Sequence, residues 1–334
     1  MCEGPSPLEY LISRVSPYEL DHAGNTPLHF ACLANRSMNV EILLNFAQKK
    51  QEDDSALTTE MLIDNKYGLG GINKPNKRGQ LPIHLAISRN SYKCVSVLLK
   101  YGCNVEYPLP NSMGKITPLM YACQLGHYKI VKLLVENNAK VEARDRFQRT
   151  AVIHATMCGH SRPLAHLLSM GASPNVLDSS GNSALHYACA YGWFYAMRGL
   201  LEAGALVNVA NDWKMTPFGV SFLKGHVGIC DQLLLMHKSQ IDINFRTEDG
   251  ETLVMLAVAS TVCLNEANVE QLNYIVNKLG GDSRLVDSKG NNAFHYLASN
   301  KCGEYFLWGP KISAVIFLNC NITILYTSKY RKFF

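Results

Sequence analysis

The chain of 334 residues is predicted to be an all-α solenoid of stacked helix-turn-helix units carrying β-hairpin fingers. Three observations predict it. First, one pattern recurs at a constant offset: Thr150 and Ser183, Leu168 and Leu201, Gly171 and Gly204, and Asn175 and Asn208 each stand 33 residues apart. A fixed period of that size marks units that bury their apolar faces only by stacking on one another. Second, each copy holds a short apolar helix followed by a second helix with a Leu-Leu pair, both at helical spacing. Third, Gly returns at the finger turn and after the second helix, where the backbone needs a positive φ.

The elements follow in chain order. Met1–Leu20 lacks the basic-then-apolar order of a signal peptide. Leu8, Tyr10, Leu11 and Ile12 line one face of a short helix, which suits residues 1–20 as a cap over the first repeat. The repeat domain is expected over residues 21–300. It opens at Asp21 with Gly24-Asn25-Thr26-Pro27-Leu28-His29-Phe30-Ala31-Cys32. Asp-x-x-Gly makes a tight turn in which Gly supplies the positive φ. Thr26 caps the helix through its hydroxyl, and Pro27 takes the first helical position, where no amide donor is needed. Leu28 and Ala31 face the core, and the second helix is expected over Asn39–Phe46.

The period then breaks, because Thr26 and Leu81 are 55 residues apart. The excess is assigned to an insertion at residues 47–71. Within it Gln51–Ser55 reads as exposed loop and Thr58–Ile63 as a helical turn or two. Gly68-Leu69-Gly70-Gly71 lacks the Lys-Ser/Thr that completes a phosphate loop. A surface insertion is expected, and a binding role for so long a segment stays open.

Repeat two spans Asn76–Glu106, with Leu81-Pro82-Ile83-His84 and Gly102. Repeat three spans Asn111–Arg144, and one extra residue between Gly114 and Thr117 predicts a distorted finger. Repeat four, from Asp145, has Gln148 for the turn Gly, Ala151 for Pro and Ile153 for the motif His. Repeat five, from Asp178, is the most regular, although Trp193 replaces the second residue of Gly-His. Repeat six, from Asn211, has Lys214 at the turn Gly and no motif His. Repeat seven holds Gly250-Glu251-Thr252-Leu253, an enlarged turn and a second helix around Leu272–Leu279. Repeat eight, from Asp287, keeps only its first helix. Residues 301–334 form a tail of another kind. Its apolar run Ile312–Tyr326 is shorter than the roughly 20 residues of a membrane span, so a membrane anchor is not expected.

Composition narrows the function. The formal charge is +5, but Lys301, Lys311, Lys329, Arg331 and Lys332 against Glu304 place +4 of it in the tail. The near-neutral body argues against a nucleic-acid partner. The 11 cysteines include no Cys-x-x-Cys pair. Cys32, Cys123 and Cys189 share one repeat phase and read as core thiols. Unpaired thiols point to a reducing compartment, the cytoplasm or nucleus.

The Thr-Pro-Leu-His stretches, the Gly-His pairs and the period together resemble the ankyrin-repeat family, with seven or eight repeats over residues 21–300. The resemblance implies a protein-binding scaffold or adaptor rather than an enzyme. It also implies that the in-phase histidines, His29, His84, His186 and His295 in one set and His127, His160 and His226 in another, bond backbone groups of the loops. His22, His154, His166 and His237 fall out of phase. No triad, zinc, Walker or Rossmann pattern occurs, so no catalytic residue, metal or cofactor is expected. The pair His186 and Cys189, three apart on one helix, is in phase and reads as structural. In some families ankyrin arrays are joined to ADP-ribosyl transferases or kinases, so an alternative is the repeat region of a larger enzyme. Phe306-Leu307-Trp308-Gly309 is similar to the Trp-Gly-Arg module beside such transferase domains, with Pro310 in place of its Arg.

In that family the finger tips and the two residues before Gly-His line the concave face. Carried onto this chain, the helix positions are Leu125, Met157, Cys158, Tyr191, Leu223 and Lys224. The finger positions are Arg146, Phe147, Arg149, Asn182, Trp213 and Met215. Aromatic residues and Arg are the usual anchors of protein interfaces, although Phe147 and Trp213 also suit packing between fingers. The expected partner is a protein, and the chain itself is expected to be monomeric.

Overall fold

The computed structural model describes residues 7–12, 19–53, 71–237, 239–260, 276 and 279–299. It divides into two units, residues 1–179 and 180–334. In the first unit α1 (Pro7–Ile12) packs on the second helix of repeat one. Four helix pairs follow: α2 (Pro27–Leu33) with α3 (Ser37–Asp53), α4 (Pro82–Ser88) with α5 (Tyr92–Lys100), α6 (Pro118–Gln124) with α7 (Tyr128–Glu136), and α8 (Ala151–Met157) with α9 (Ser161–Ser169). The first helices pack in one row, α2 on α4 on α6 on α8, and the second helices in another, α3 on α5 on α7 on α9. In the second unit α10 (Ala184–Tyr191) pairs with α11 (Phe194–Glu202), and α12 (Pro217–Leu223) with α13 (Val227–His237). There the first-helix row continues from α12 to α14 (Leu253–Ser260) and α15 (Ala293–Ser299).

Local chemistry starts each first helix. The hydroxyls of Thr26, Thr117, Ser183 and Thr216 accept the amide three residues on. Pro27, Pro82, Pro118 and Pro217 stand at the first helical position. The second helices bury one stripe, such as Ile130, Val131 and Leu134 of α7 or Met197, Leu200 and Leu201 of α11. Each such side chain contributes about 1.5–3 kcal/mol when removed from water. Little of that gain exists for one pair alone, so the rows form together.

The fingers are turns rather than strand pairs, and no strand occurs among the described residues. The turns close through paired backbone bonds, for example Asp145 N to Arg149 O and Gln148 N to Asp145 O, both at 3.0 Å, and Asn211 N to Met215 O at 3.0 Å with Lys214 N to Asn211 O at 2.8 Å. The opening Asp or Asn supports the turn from inside. Asp145 Oδ1 accepts the amides of Phe147 and Arg149, and Asn211 Oδ1 those of Trp213 and Met215. Backbone bonds also tie neighbouring fingers: Lys77 N to Ala23 O and Arg146 N to Gly114 O in the first unit, Asp212 N to Ser180 O in the second. The finger of repeat three is enlarged as the extra residue implied. It closes between Leu109 and Ile116 and holds a short 3₁₀ turn at Asn111–Met113.

Several local expectations are corrected. The second helix of repeat one does not end at Phe46 but runs to Asp53, so Gln51, Glu52 and Asp53 are helical rather than loop. In α1 only Ile12 is buried, while Tyr10 and Leu11 are exposed, so the expected apolar face is narrower. Gln148 and Lys214 adopt φ of 61° and 60°, keeping the turn that Gly makes elsewhere. Residues 54–70, the second helix around Leu272–Leu279 for the most part, and the tail 301–334 lie outside the described residues.

Candidate binding surface

Two sets of histidines build the frame that holds the fingers. In repeat one, His29 Nδ1 meets the Thr26 hydroxyl at 2.8 Å, and its Nε2 reaches the carbonyl of Gln80 in the next finger at 3.0 Å. In repeat five, His186 does the same with Ser183 at 2.9 Å and the Met215 carbonyl at 3.0 Å. The second set clasps helix ends. His160 Nε2 bonds Gln124 O at 3.1 Å, and His226 Nε2 bonds Ala190 O at 3.0 Å. The clasping ring lies where a Cβ on the preceding repeat's Gly would sit, 2.6 Å away at Gly126. This accounts for Gly126 and, under the His226 ring at 3.0 Å, for Gly192, whereas Gly225 of the last Gly-His pair meets nothing within 4 Å.

Repeat four lacks the motif His, and the structure supplies a substitute that sequence reasoning missed. His154, one residue later, is buried with Nε2 3.0 Å from Asp145 Oδ2 and Nδ1 2.9 Å from Gln124 Nε2. Burial alone raises the Asp145 pKa, but the bonds from His154 and from the finger amides outweigh it and hold the carboxyl below its usual range. The signal was present as a His displaced by one position beside Ile153.

The predicted contact residues separate by unit. In the first, Leu125, Arg146 and Phe147 are exposed, and Met157 and Arg149 are half-buried. Phe147 is 39% exposed, with the guanidiniums of Arg146 and Arg149 each 4.9 Å from its ring centroid. A Cβ on Gly114 would stand 3.8 Å from the Phe147 ring, so part of the ring rests on the neighbouring finger. Arg146 also donates to Asn111 O at 3.1 Å, and Arg149 lies 3.8 Å from Asp178. In the second unit Tyr191 is 42% exposed and stacks on the buried Tyr187. Lys224 is exposed, and Trp213 and Leu223 are half-buried.

Two of the finger positions are corrected. Met215 is buried, its methyl turned toward Gly219 of the following helix, because its backbone closes the finger base. Asn182 is buried too, accepting from the Asn211 amide at 2.9 Å. Neither is offered to a partner. Conversely, Trp193 and Tyr195 are exposed and were missed. The run Trp193-Phe194-Tyr195 was the available signal, since one helical stripe cannot bury three adjacent rings.

The geometry also bears on chemistry. Cys189 is fully buried and its thiol is held well above the usual range by burial. The ring of His186 is engaged by Ser183 and the Met215 carbonyl. This pair therefore belongs to the packing. Among the described residues no three His, Cys, Asp or Glu side chains gather to hold a metal, and no helix is long and apolar enough to cross a membrane.

Paired helices in register, capped fingers and histidine clasps define a helical repeat protein whose fold presents a surface. The chain belongs to the ankyrin-repeat family: the family description "Ankyrin repeats (3 copies)" matches residues 2–106, 51–145 and 141–211. Among its relatives, "Poly [ADP-ribose] polymerase tankyrase" of Caenorhabditis elegans is 34% identical over 89% of this chain. The chain spans 13% of that protein's length. "B-cell lymphoma 3 protein homolog" of Mus musculus is 30% identical over 60% of the chain and 49% of its own length. "Probable 26S proteasome regulatory subunit p28" of Saccharomyces cerevisiae is 24% identical over 85% of the chain and 98% of its own length. Ankyrin repeats are a protein-interaction fold, and the repeat region itself is non-catalytic.

Proposed function

We propose that this chain is a scaffold or adaptor that binds a protein partner through the concave face and finger tips of its repeats, in the cytoplasm or nucleus and as a monomer. The observation that carries the reading is the chemistry of the exposed positions. Phe147 with Arg146 and Arg149 in the first unit, and Tyr191 with Lys224 in the second, are interface-type side chains, each set on the repeats of its own unit. Aromatic anchors of this kind often cost about 2 kcal/mol on truncation, roughly thirtyfold in affinity. A pull-down with residues 1–300 identifies the partner, and titration with Tyr191→Ala and Trp213→Ala then tests the surface. Weakened binding with an unchanged helical signal is expected. Unfolding of both, with normal binding by the folded fraction, would make these residues internal packing.

A second reading is the repeat region of a larger enzyme, an ADP-ribosyl transferase in particular. It is favoured by the 34% identity to the nematode tankyrase across 89% of this chain. The reading frame of the full transcript tests it: a continuing frame that encodes a transferase domain supports it, and a stop after Phe334 removes it.

A further inference from the structure

Finger one carries an exposed carboxylate, Asp21, but the carboxylate of finger four is turned inward. Asp145 is 4% exposed, with Oδ1 taken by two finger amides and Oδ2 by His154. The corresponding residue of finger two is the uncharged Asn76, and finger three, Leu109–Ile116, holds no carboxylate. The charges that face water on fingers two to four are cationic: Lys77, Arg78, Lys115 and Arg146 are all exposed. Among the described residues none of these four has a carboxylate within ion-pair reach. The fingers are laterally connected. Pro110 of finger three packs where a Cβ on Gly79 would sit, and Arg146 N bonds Gly114 O at 2.9 Å. A second observation falls at the end of this row. Phe147 is exposed, and the guanidiniums of Arg146 and Arg149 lie against its ring.

We infer that fingers two to four form a docking strip for an acidic, extended segment of a partner protein. Charge complementarity selects the class of partner. The planar guanidinium of Arg146, whose Nη1 already donates to Asn111 O, can donate two parallel bonds from Nε and Nη2 to a carboxylate, which a point charge does not. The Phe147 ring beside it takes an apolar side chain that follows the acid. The lysines of fingers two and three then hold further carboxylates along the row. Such rim charges act mainly on encounter and register, so the contact weakens as salt rises. The proposal rests on the reading of the repeats as a protein-binding surface and adds the chemistry of the ligand.

The test uses the full chain and a fluorescein-labelled peptide of alternating Asp and Leu, titrated by polarisation at low and physiological salt. The triple variant Lys77→Gln/Lys115→Gln/Arg146→Gln is expected to bind about tenfold more weakly, with an unchanged melting temperature. Neutralising Lys129 and Lys132, exposed on α7, is expected to leave the affinity as it was. Arg146→Lys, which keeps the charge and loses the fork, is expected to fall between. Equal loss in the α7 control, or no loss in the triple variant, overturns the strip. Tighter binding of a single-stranded oligonucleotide that displaces the peptide overturns the partner class. Because the probe needs no identified partner, its failure is separate from that of the Tyr191 surface, which the pull-down reads.

Discussion

His154 and Asp145 are joined through one short bond, Nε2 to Oδ2 at 3.0 Å, and this bond holds finger four to its own helix. The Gln124 amide donates to the other ring nitrogen, which fixes the ring's orientation and leaves Nε2 as the donor to the carboxylate. Removing the ring leaves a buried carboxylate short of a donor. His154→Ala is expected to cost about 2 kcal/mol and to speed amide exchange at Phe147 and Arg149. An unchanged denaturation midpoint would remove His154 from this role.

Gly126 and Gly102 both sit at positive φ, 71° and 78°, but only Gly126 lies under a neighbour's ring. An added methyl at Gly102 meets nothing within 4 Å, whereas at Gly126 it meets His160 at 2.6 Å. Gly102→Ala is expected to cost about 1 kcal/mol from the left-handed backbone alone. Gly126→Ala should cost about 3 kcal/mol, because the clasp is displaced as well. Equal melting temperatures for the two variants would contradict the clasp.

Acid destabilises the first unit through histidine. Burial pushes the His84 pKa down to about 4 from an ordinary value of 6.5, and His29 and His127 shift the same way for the same reason. The unfolded chain therefore takes up these protons before the folded one does. The contribution is fully present above pH 6.5 and is lost as pH falls towards 4. For His84 alone the loss is about 3 kcal/mol. His84→Gln is expected to flatten this part of the pH–stability curve, and an unaltered slope from pH 6.5 to 4 would count against it.

Gln148 and Lys214 hold left-handed backbone that Gly holds in sibling fingers. A Cβ in that region costs about 1 kcal/mol or more, part of which Gly returns through its freer unfolded chain. Gln148→Gly and Lys214→Gly should each stabilise the protein by about 0.5 kcal/mol, read as a small rise in melting temperature. A fall in both would mean that the side chains hold the fingers by other contacts.

Leu201 is 7% exposed beside the fully buried Leu200 on α11. Leu201→Ala is expected to destabilise the chain by about 2–5 kcal/mol, the range for buried Leu truncations. Thermal unfolding measures it, and no change would break the assigned register.

The repeat signal was legible because it is local. Thr-Pro at a helix start, Gly at a positive φ and Leu-Leu on a buried stripe each act within a few residues, and 33-residue copies repeat the message. What failed depended on neighbours. Met215 occupies a tip position in the repeat pattern, yet closing the finger carries its side chain inward. α3 extends past Phe46 because nothing in its sequence ends the helix there, and polarity, the one loop signal at Gln51–Ser55, does not stop a helix. His154 falls out of phase, yet a displaced His beside a missing one is itself the sign of a substitution.

The buried thiols make this protein its own stopwatch. Cys32, Cys123 and Cys189 stand at one phase in repeats one, three and five, free and sealed, with burial holding each far from the reactive thiolate. A thiol reagent reaches such a sulfur only when its own repeat opens. Exposed Cys158 marks zero time. Mass spectrometry of labelled peptides would then rank the repeats by opening frequency, without any engineered probe. In a linear array, where stability is a sum over neighbours, that ranking is the order in which the chain comes apart.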